Sequence, residues 1–390
     1  GVSYREHLSR AIAQGRAGSP DLIVFMFLRA VELLGGSGQV GLIATKSLAE
    51  GGNRRVGLDW LVGRGLDLRA SVKSRQWATD AASLSYCIVW GSNQAREAGV
   101  RALCDGELVP AIGSDLLPAL SGDSRHKLRR NAGKSFYGTV ISGRGFILEP
   151  HEAEQLLAAD PGSAHVVERY LTGGDLLETP ECSAQRYVIN FRDWSLERAQ
   201  DTAPLALDRV RQLVKPDRDK VKRASYRLKW WQFAERCAEL YKATQGLQRV
   251  LTVPQTGTYL PFLYSESGQV FAQSITAFTL DDAADAGLLN STIHQAWVDK
   301  TSGTLDTRPT YRSTDSFATF VPPDHSLEGL RTVAQNLEAL WRAGARHYGG
   351  LTEFLNRVND DRSESELVGR AREALASLDQ RVMAAYGWTD

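Results

Sequence analysis

Residues 21–61 have the sequence DLIVFMFLRAVELLGGSGQVGLIATKSLAEGGNRRVGLDWL, and this stretch decides the fold class of the N-terminal part of the chain. The pattern predicts an apolar helix over 21–34, a strand over 40–45 and a second helix near 53–63. A helix, a glycine turn, a strand, a polar loop and another helix make one half-turn of a parallel α/β sheet. The strand shows no alternation of polar and apolar residues, so we expect both of its faces to be buried.

The residues on either side of this stretch extend the same sheet. Apolar residues at helical spacing within 1–18 predict a short helix ahead of it. Two stretches rich in β-forming residues follow it, LDLRASVKS (66–74) and SLSYCIVWGS (83–92), and are typical of a β-hairpin at a sheet edge. Residues 1–95 therefore supply about three strands, and we expect them to be part of a larger, Rossmann-like α/β sheet.

Composition limits the kind of protein. The chain has 390 residues, enough for about two or three domains. Its 46 basic and 46 acidic side chains cancel, so a nucleic-acid surface must be a local patch. The four cysteines stand far apart, which predicts reduced thiols in a cytoplasmic protein and no structural metal site. No apolar run is long enough for a membrane span, so we expect no membrane partner.

The composition changes near residue 100. Beyond it, the segments are short and rich in Gly, Pro and Ser, which predicts a mixed α+β domain up to about 320, followed by helices. The elements that we expect are helices over 149–160 and 229–243, a strand over 186–191 and a strand pair formed by 269–281 and its surroundings. Residues 326–357 and 363–385 have helical periodicity and should form two or three helices.

The loop after the first strand resembles a known enzyme family. Its letters LIATKSLAEG (42–51) resemble the stretch that follows the catalytic motif of adenine-N6 DNA methyltransferases. Such enzymes carry a glycine-rich cofactor loop and an Asn-Pro-Pro-aromatic motif upstream, and this chain begins after the place where those motifs would lie. The resemblance implies the back half of a larger enzyme, in which Lys46, Ser47 and Asn53 border the methyltransferase pocket. It also implies S-adenosylmethionine in the intact enzyme, with no cofactor and no catalytic residue in this chain itself.

A second resemblance covers nearly the whole chain. The motifs that carry it occur in the order NAGKSFYGTVISGRGFIL (131–148), RYVINFRDW (186–194), KPDRD (215–219), WWQFAERCAELY (230–241), LLNSTIHQAWV (288–298), LDTRPTY (305–311) and AAYGW (384–388). Together they resemble the MmeI-type (type IIL or IIG) single-chain restriction–modification enzymes. In that family a nuclease, a helical connector, an adenine methyltransferase and a target-recognition domain share one polypeptide.

This resemblance implies a division of the chain into three parts. Residues 1–100 would be the C-terminal part of the methyltransferase domain, 101–320 the DNA target-recognition domain and 321–390 a closing helical segment. The implied partners are double-stranded DNA and the missing N-terminal nuclease and methyltransferase portion of the same polypeptide.

A run of basic residues lies between 209 and 229. Nine basic side chains stand there against two acidic ones, and phosphate contact by such a patch gives an affinity that falls steeply with salt. The candidates for contact with the DNA backbone are Lys215, Lys220, Lys222, Arg223, Arg227 and Lys229. The alternative is a solvated face. Interleaved Tyr226, Trp230 and Trp231 favour DNA contact, although we expect Trp231 and Phe233 to pack in the core.

A second basic cluster runs from Arg125 to Lys134 and leads into a glycine-rich segment, residues 133–145. Glycine lets the backbone approach a phosphate closely, so Lys134, Ser135 and Arg144 are predicted phosphate contacts. The alternative is a glycine-bearing hairpin that packs on the methyltransferase part. The Gly-Lys-Ser here is not a Walker A loop, because the glycine that should precede it is absent.

Base readout needs side chains that match base edges. Asp306 and Arg308 are two residues apart and on an extended strand would point to the same face, where an acid can read cytosine and an arginine guanine. In the resembled family an acid–x–Arg pair in this neighbourhood carries base specificity. The alternative is a salt bridge between the two. Weaker candidates, expected to be mainly structural, are Gln255, Gln273 and Ser274.

These observations favour DNA sequence recognition within a restriction–modification enzyme that methylates adenine N6. Two alternatives stay open: the tail of a stand-alone phage-defence DNA adenine methyltransferase, and a non-catalytic protein-contact module whose exposed sheet edge pairs with a partner. No Ser/His/Asp constellation is evident, and His294, on an apolar helix face, is expected to pack rather than catalyse.

Overall fold

The structure is a computed structural model that describes residues 2–16, 18, 20–77, 85–119, 127–302, 304–305, 308–324 and 327–388. Its contacts divide the chain into two compact units. Unit 1 is Gly1–His126 with Ser302–Thr307, and unit 2 is Lys127–Thr301 with Arg308–Asp390. Along the chain, the boundary between the units falls after residue 126, whereas the predicted domain boundaries are at 100 and 320. The helices after 320 belong to unit 2.

Unit 1 is a mixed sheet with helices. Its helices are α1 (Val2–Ala11), α2 (Leu22–Leu33), α3 (Gly51–Val56) and α4 (Leu58–Gly63), and its main strands are β1 (Gln39–Thr45), β2 (Asp67–Gln76), β3 (Ser85–Ser92), β4 (Ala102–Cys104) and β5 (Glu107–Val109). The five strands lie in the order β1-β3-β2-β4-β5. Strand β3 is antiparallel to both of its neighbours, so β1 and β2 run parallel, with α3 and α4 between them along the chain.

Most elements predicted for this unit are confirmed, including α1, α2 and the antiparallel pairing of β2 with β3. The predicted place of this pair at a sheet edge is wrong, since β1 lies on one side of it and β4 on the other. The predicted helix near 53–63 is interrupted at Gly57, where a Cβ atom would lie 3.0 Å from the Val24 side chain and 3.1 Å from the Asn53 carbonyl oxygen. The close approach of α2 thus requires a glycine and divides the helix into α3 and α4.

The prediction that β1 is buried on both faces is wrong. Strand β1 lies at the edge of the sheet, and β3 is its neighbour among the described strands. Ala44 is buried, but Ile43 is 57% exposed. An apolar strand without alternation is therefore not proof of a strand buried on both faces. The Rossmann-like methyltransferase part of the predicted fold class stays a prediction.

Unit 2 contains two four-stranded sheets. The first comprises β6 (Ser135–Tyr137), β10 (Arg249–Pro254), β11 (Leu263–Glu266) and β13 (Ile275–Phe278), in the antiparallel order β11-β10-β13-β6. The second comprises β7 (Ile147–Leu148), β8 (Val167–Leu171), β9 (Arg186–Ile189) and β12 (Val270–Phe271), in the order β12-β8-β9-β7. Two further short strands are β14 (Thr304–Leu305), in unit 1, and β15 (Arg308–Pro309), in unit 2.

Helices cover both sheets of unit 2. They are α5 (Pro150–Ala159), α6 (Gly173–Glu178), α7 (Leu196–Thr202), α8 (Pro204–Leu213), α9 (Lys215–Arg218), α10 (Ala224–Leu228), α11 (Ala238–Thr244), α12 (Ala283–Asn290), α13 (Thr292–Thr301), α14 (Arg331–Tyr348), α15 (Leu351–Val358) and α16 (Glu366–Ala385). The predicted helix over 149–160 is confirmed as α5, which begins with Pro150 and a capping box between Glu149 and Glu152. The predicted C-terminal helices are confirmed as α14, α15 and α16.

Two predictions for unit 2 are wrong. The helix expected over 229–243 begins only at Ala238, because Trp230, Trp231 and Phe233 all turn into the core from an irregular segment. Two strands do form in 269–281, but they do not pair with each other as expected, since β12 and β13 lie in different sheets. In both cases long-range packing overrides a local apolar pattern.

The cysteines of the chain are unpaired, and three of them are buried. All four cysteines are free thiols, and burial raises the pKa of Cys87 to about 12 and that of Cys182 to about 11. Among the described residues, no helix combines the length and apolar character that crossing a membrane requires.

Candidate nucleic-acid interface

Two arginines of the basic run serve the fold of unit 2. Arg209 on α8 donates hydrogen bonds to the carbonyl oxygens of Gly145 (3.3 Å) and Ile147 (3.2 Å) and pairs with Glu152 (2.9 Å). Arg218 at the end of α9 is 2% exposed and also binds backbone carbonyls. Arg218 is buried and Arg209 is already bound to Glu152 and two carbonyl oxygens, so the number of basic residues overstates the charge that faces solvent.

Two lysines of the run form local ion pairs on the surface. The Lys215 ammonium lies 2.7 Å from Asp219, and the Lys220 ammonium lies 3.2 Å from Asp217. Exposed pairs of this kind contribute little to stability and exchange readily for another anion. Phosphate contact by Lys215 and Lys220 therefore stays a prediction.

Arg223 and Arg227 brace the loop that carries them. Arg223 donates to the Tyr226 hydroxyl (2.7 Å) and to Glu235 (2.8 Å), and the Tyr226 hydroxyl donates to the same carboxylate (2.8 Å). These hydrogen bonds, that of Tyr226 first, lower the pKa of Glu235. Arg227 donates to the carbonyl oxygens of Val221 (2.6 Å) and Lys222 (2.8 Å). Both arginines already have partners, and their contact with the DNA backbone stays a prediction.

Four other predicted backbone contacts are exposed cations. Lys134, Arg144, Lys222 and Lys229 have exposed side chains, and none of them has an ion pair or a side-chain hydrogen bond to another described residue. Ser135 is half-buried in β6, opposite Phe278. These four cations are therefore the best placed of the predicted set to meet a phosphate.

The glycines of the 133–145 segment are needed for packing inside unit 2. A Cβ atom on Gly138 would lie 1.9 Å from the carbonyl oxygen of Ala272, and one on Gly145 would lie 2.5 Å from the Leu213 side chain. Packing inside unit 2 is enough to explain why Gly138 and Gly145 are glycines. The expected explanation, a close approach of phosphate, is not required.

The tryptophans of the basic run are core residues. Core packing of Trp231 and Phe233 is confirmed, and Trp230, which the sequence places among DNA contacts, is only 6% exposed. Trp230 and Trp231 pack edge to face, and the Trp231 indole donates to the Trp194 carbonyl oxygen (3.0 Å). Trp230 and Trp231 therefore cannot stack on a base without unfolding this core.

The segments that carry Gln255, Ser274 and Arg308 are neighbours in unit 2, although they lie far apart in sequence. Thr310 pairs with Thr256 in an antiparallel bridge, and the amide of Tyr311 donates to the Gln255 carbonyl oxygen (2.8 Å). The amide of Gln255 in turn donates to the Ser274 carbonyl oxygen (2.7 Å). The side chains on these adjacent segments, which we call the readout edge, are Gln255, Gln273, Ser274 and Arg308.

The exposure of the readout edge differs among its members. Gln273, Ser274 and Arg308 are exposed, and Gln255 is half-buried. The Ser274 hydroxyl accepts from the Gly173 amide (2.9 Å), which fixes that side chain. Asp306, the partner predicted for Arg308, lies outside the described residues. The sequence alone gave no sign that these segments are neighbours, because hydrogen bonds between distant strands leave no local pattern.

Buried aromatic rings anchor the strand that carries Arg308. Tyr311 is fully buried and packs against Phe262 and Phe278. Its hydroxyl lies 3.4 Å from His294 Nε2, and His294 Nδ1 lies 2.8 Å from the Leu289 carbonyl oxygen. Burial lowers the pKa of His294 to about 4. The expected packing role of His294 is confirmed.

Two of the three residues predicted to border the methyltransferase pocket in unit 1 are hydrogen-bonded to Asp21. The Ser47 hydroxyl (3.0 Å) and the Asn53 amide nitrogen (2.8 Å) both donate to Asp21, whose backbone amide donates to the Asn53 side chain (2.9 Å). Lys46 is half-buried in the short 3₁₀ turn before Glu50. Asp21, which the sequence suggested only as part of a helix start, is thus the centre of this loop. In the part of the chain that is described, no group of His, Cys, Asp and Glu side chains is arranged to hold a metal ion.

Comparisons with known proteins agree with the order of the motifs. The family described as MmeI, target recognition domain, matches residues 124–324. A solved structure of the type IIL restriction–modification enzyme MmeI in complex with DNA is similar in fold, with a TM-score of 0.79 and 16% identity, and the match covers 100% of this chain.

The match also shows a difference in length. It covers 53% of the MmeI chain, so this chain spans about half the length of that protein. The type IIG restriction endonuclease BpuSI matches over 99% of this chain and 52% of its own at 12% identity, but its TM-score of 0.30 is too low to support an argument. A comparison with curated proteins finds no match.

Proposed function

The chain belongs to the MmeI target recognition domain family, and from this premise we propose that it binds double-stranded DNA and recognises a base sequence within a restriction–modification enzyme. The observation that carries the proposal is the readout edge. Its glutamine, serine and arginine side chains are the types that hydrogen-bond to base edges in the major groove. They come from three separate segments that the tertiary structure brings together.

A second set of side chains, of the kind that binds phosphates, supports this proposal. Lys134, Arg144, Lys222 and Lys229 are exposed cations that form no ion pair and no side-chain hydrogen bond with a described residue. In a duplex complex such residues set position and supply salt-dependent affinity, while the readout edge supplies the sequence information. Net charge does not oppose this, because the chain is neutral overall and binding depends on local patches.

We propose further that the intact protein, in the cytoplasm, transfers a methyl group from S-adenosylmethionine to adenine N6. The target adenine has to leave the stack, since its amino group is otherwise paired and stacked within the duplex. We place the cofactor outside this chain, because Ser47 and Asn53 are bonded to Asp21. The open edge of β1 is where the N-terminal portion of the intact protein would extend the sheet.

Base readout is tested by exchanging the charges of the acid–x–Arg pair. We expect Asp306→Lys together with Arg308→Asp to change the preferred base at one position of the site while leaving general affinity within a few-fold. Binding-site selection from a random duplex library measures this for the wild type and the variant. The same selected base at every position in both proteins would contradict the assignment of Asp306 and Arg308.

Methyl transfer is tested with the chain as it is. We expect no incorporation from tritiated S-adenosylmethionine into duplex DNA by this chain alone, and incorporation after the N-terminal portion of the polypeptide is supplied. Incorporation by the chain alone would show that its own residues hold the cofactor. A longer polypeptide that methylates but carries no nuclease would instead indicate the stand-alone phage-defence methyltransferase.

A protein-contact module is the second candidate function, and the exposed edge of unit 1 favours it. Ile43 on β1 and Met26 on α2 are 57% and 66% exposed. Affinity for duplex DNA over a salt series separates the two functions. Binding that weakens steeply with salt supports DNA recognition, and no binding even at low salt supports the protein-contact module.

A further inference from the structure

Arg218 is a buried cation that has no carboxylate partner among the described residues. It is the largest of the fully buried side chains in that part of the chain, and its Nη1 atom is buried with no hydrogen-bond acceptor there. Removing a charged group from water is costly unless it is paired, and here the guanidinium meets only neutral oxygens. Burial lowers the pKa of Arg218, as expected for such a position. A residue held at this cost calls for an explanation beyond core packing.

The hydrogen bonds of Arg218 join three segments of unit 2. Its Nη2 atom donates to the carbonyl oxygens of Ile141 (2.8 Å) and Gln232 (3.3 Å), and its Nε atom donates to that of Ser142 (3.0 Å). A planar guanidinium presents donors in several fixed directions, which a lysine ammonium does not. One side chain therefore fixes the positions of three backbone carbonyls.

The contact with Gln232 closes a loop. Arg218 and Gln232 stand at the two ends of residues 219–231, so their hydrogen bond holds the base of this segment together. The segment carries Lys222 and Lys229, both exposed and with no ion pair or side-chain hydrogen bond to a described residue. Inside the loop, the Arg218 guanidinium also lies 5.2 Å from the centre of the Tyr226 ring.

The contact with Ile141 and Ser142 fixes a strained turn. Ser142 has a φ angle of +48°, which residues other than glycine rarely adopt. Such a conformation persists when its surroundings hold it, and Arg218 binds both the carbonyl of this residue and the one before it. Two residues later the chain presents Arg144, another exposed cation.

We propose that Arg218 is a positioning residue for DNA binding: it fixes the 219–231 loop and the 141–144 turn so that Lys222, Lys229 and Arg144 meet the phosphates of one duplex. This rests on the proposed function. Arg218 itself touches no phosphate, because its side chain is buried. Its effect on binding passes through the exposed cations whose backbone it holds.

The test compares Arg218 variants by the salt dependence of binding. Fluorescence anisotropy with a labelled duplex over a series of salt concentrations gives the slope of log affinity against log salt. Each phosphate contact contributes about 0.9 to that slope, so we expect K222A/K229A to flatten it by about 1.8 and R218M, which releases all three cations, to flatten it by up to about 2.7. R218K keeps the charge but cannot hold three carbonyls, and we expect it to lose slope as well.

A matched control separates positioning from loss of stability. Arg372 also donates to several backbone carbonyls, those of Arg357, Val358, Asp360 and Ser363, but it lies in the C-terminal helices. We expect R372M to lower the melting temperature and to leave the slope unchanged. All titrations are made at a temperature where circular dichroism shows the variant folded, and if R218M does not fold, R218K carries the test.

The outcomes distinguish this inference from the proposed function. In the K222A/K229A background, R218M should flatten the slope by at most about 0.9, the contribution of Arg144. The two lysines that Arg218 also positions are already absent from that variant. A wild-type slope in R218K would show that charge alone matters and would overturn the positioning role. If the slope lost in the triple variant equals the sum of the losses in R218M and in K222A/K229A, the positioning role of Arg218 is overturned too. If the wild-type chain binds no duplex at low salt, the proposed function fails and this inference falls with it.

Discussion

His294 shows how burial sets the chemistry of a single residue. It is 1% exposed, its ring nitrogens meet the Leu289 carbonyl oxygen and the Tyr311 hydroxyl, and the rings of Phe262 and Phe320 surround it. Burial disfavours the charged imidazolium, which places the pKa near 4. A histidine in this state is neutral at pH 7 and supports the strand of Arg308 through Tyr311.

The free energy of unfolding should fall on acidification because of His294. Its pKa is about 4 in the fold, against the ordinary 6.5, so the unfolded chain binds more protons between those values. The contribution is complete above pH 6.5 and is lost progressively as the pH falls towards 4, by about 3 kcal/mol at most. Urea unfolding of unit 2 at several pH values measures it.

The control for this prediction is His294→Phe. This variant loses the hydrogen bond to Leu289 and should be less stable at pH 7, but its stability should depend less on pH between 6.5 and 4. If the wild type and the variant lose stability in parallel over that range, His294 is not the group responsible.

Two glycines of the C-terminal helices show how the surroundings of an element decide what a side chain does. A Cβ atom on Gly344 of α14 would lie 2.3 Å from the Phe354 ring of α15, whereas nothing lies within 4 Å of one on Gly369 of α16. The periodicity of the sequence predicts the two helical segments, 326–357 and 363–385, but not the break between α14 and α15 inside the first. It does not distinguish a glycine at a helix contact from one at the surface.

Gly344→Ala should destabilise unit 2, and Gly369→Ala should stabilise it. The first substitution forces α14 and α15 apart, at a cost of about 1–3 kcal/mol. The second removes the entropic penalty of a helical glycine, a gain of about 0.5–1 kcal/mol. Thermal unfolding by circular dichroism compares the two alanine variants with the wild type. Equal shifts of the melting temperature would contradict the packing of Phe354 on Gly344.

For the molecule as a whole, the open sheet edge of unit 1 and the absence of net charge both favour self-association. Strand β1 is seven residues long, and exposed strands of that length pair readily with other chains. A formal net charge of zero at pH 7 gives no general repulsion to oppose association. The other edge strand, β5, has three residues, which makes it a poorer template.

Ile43→Lys should therefore reduce self-association of the chain, and Leu108→Lys should not. Both side chains are largely exposed, so neither substitution should change the melting temperature much. The first places a charge on the long edge β1, and the second places the same charge on β5. Sedimentation velocity over a range of protein concentrations measures the effect. Equal effects of the two substitutions would show that added charge, rather than edge pairing, prevents association.

The amino-acid sequence by itself determined the elements whose signals are local. The capping residues of α5, the apolar periodicity of α14 and α16 and the β2–β3 hairpin depend on neighbours in the chain, so their patterns could be recognised. The order of the motifs also sufficed to identify the family, since it is a property of the sequence.

Only the tertiary structure decided which of the basic and polar residues stand together and which are exposed. Arg218 and Trp230 are residue types found on DNA-binding surfaces, but both lie in the core. Gln255, Ser274 and Arg308 become neighbours only through hydrogen bonds between segments far apart in the chain. Burial and pairing between distant segments depend on how the whole chain packs. A local pattern of residues does not record them.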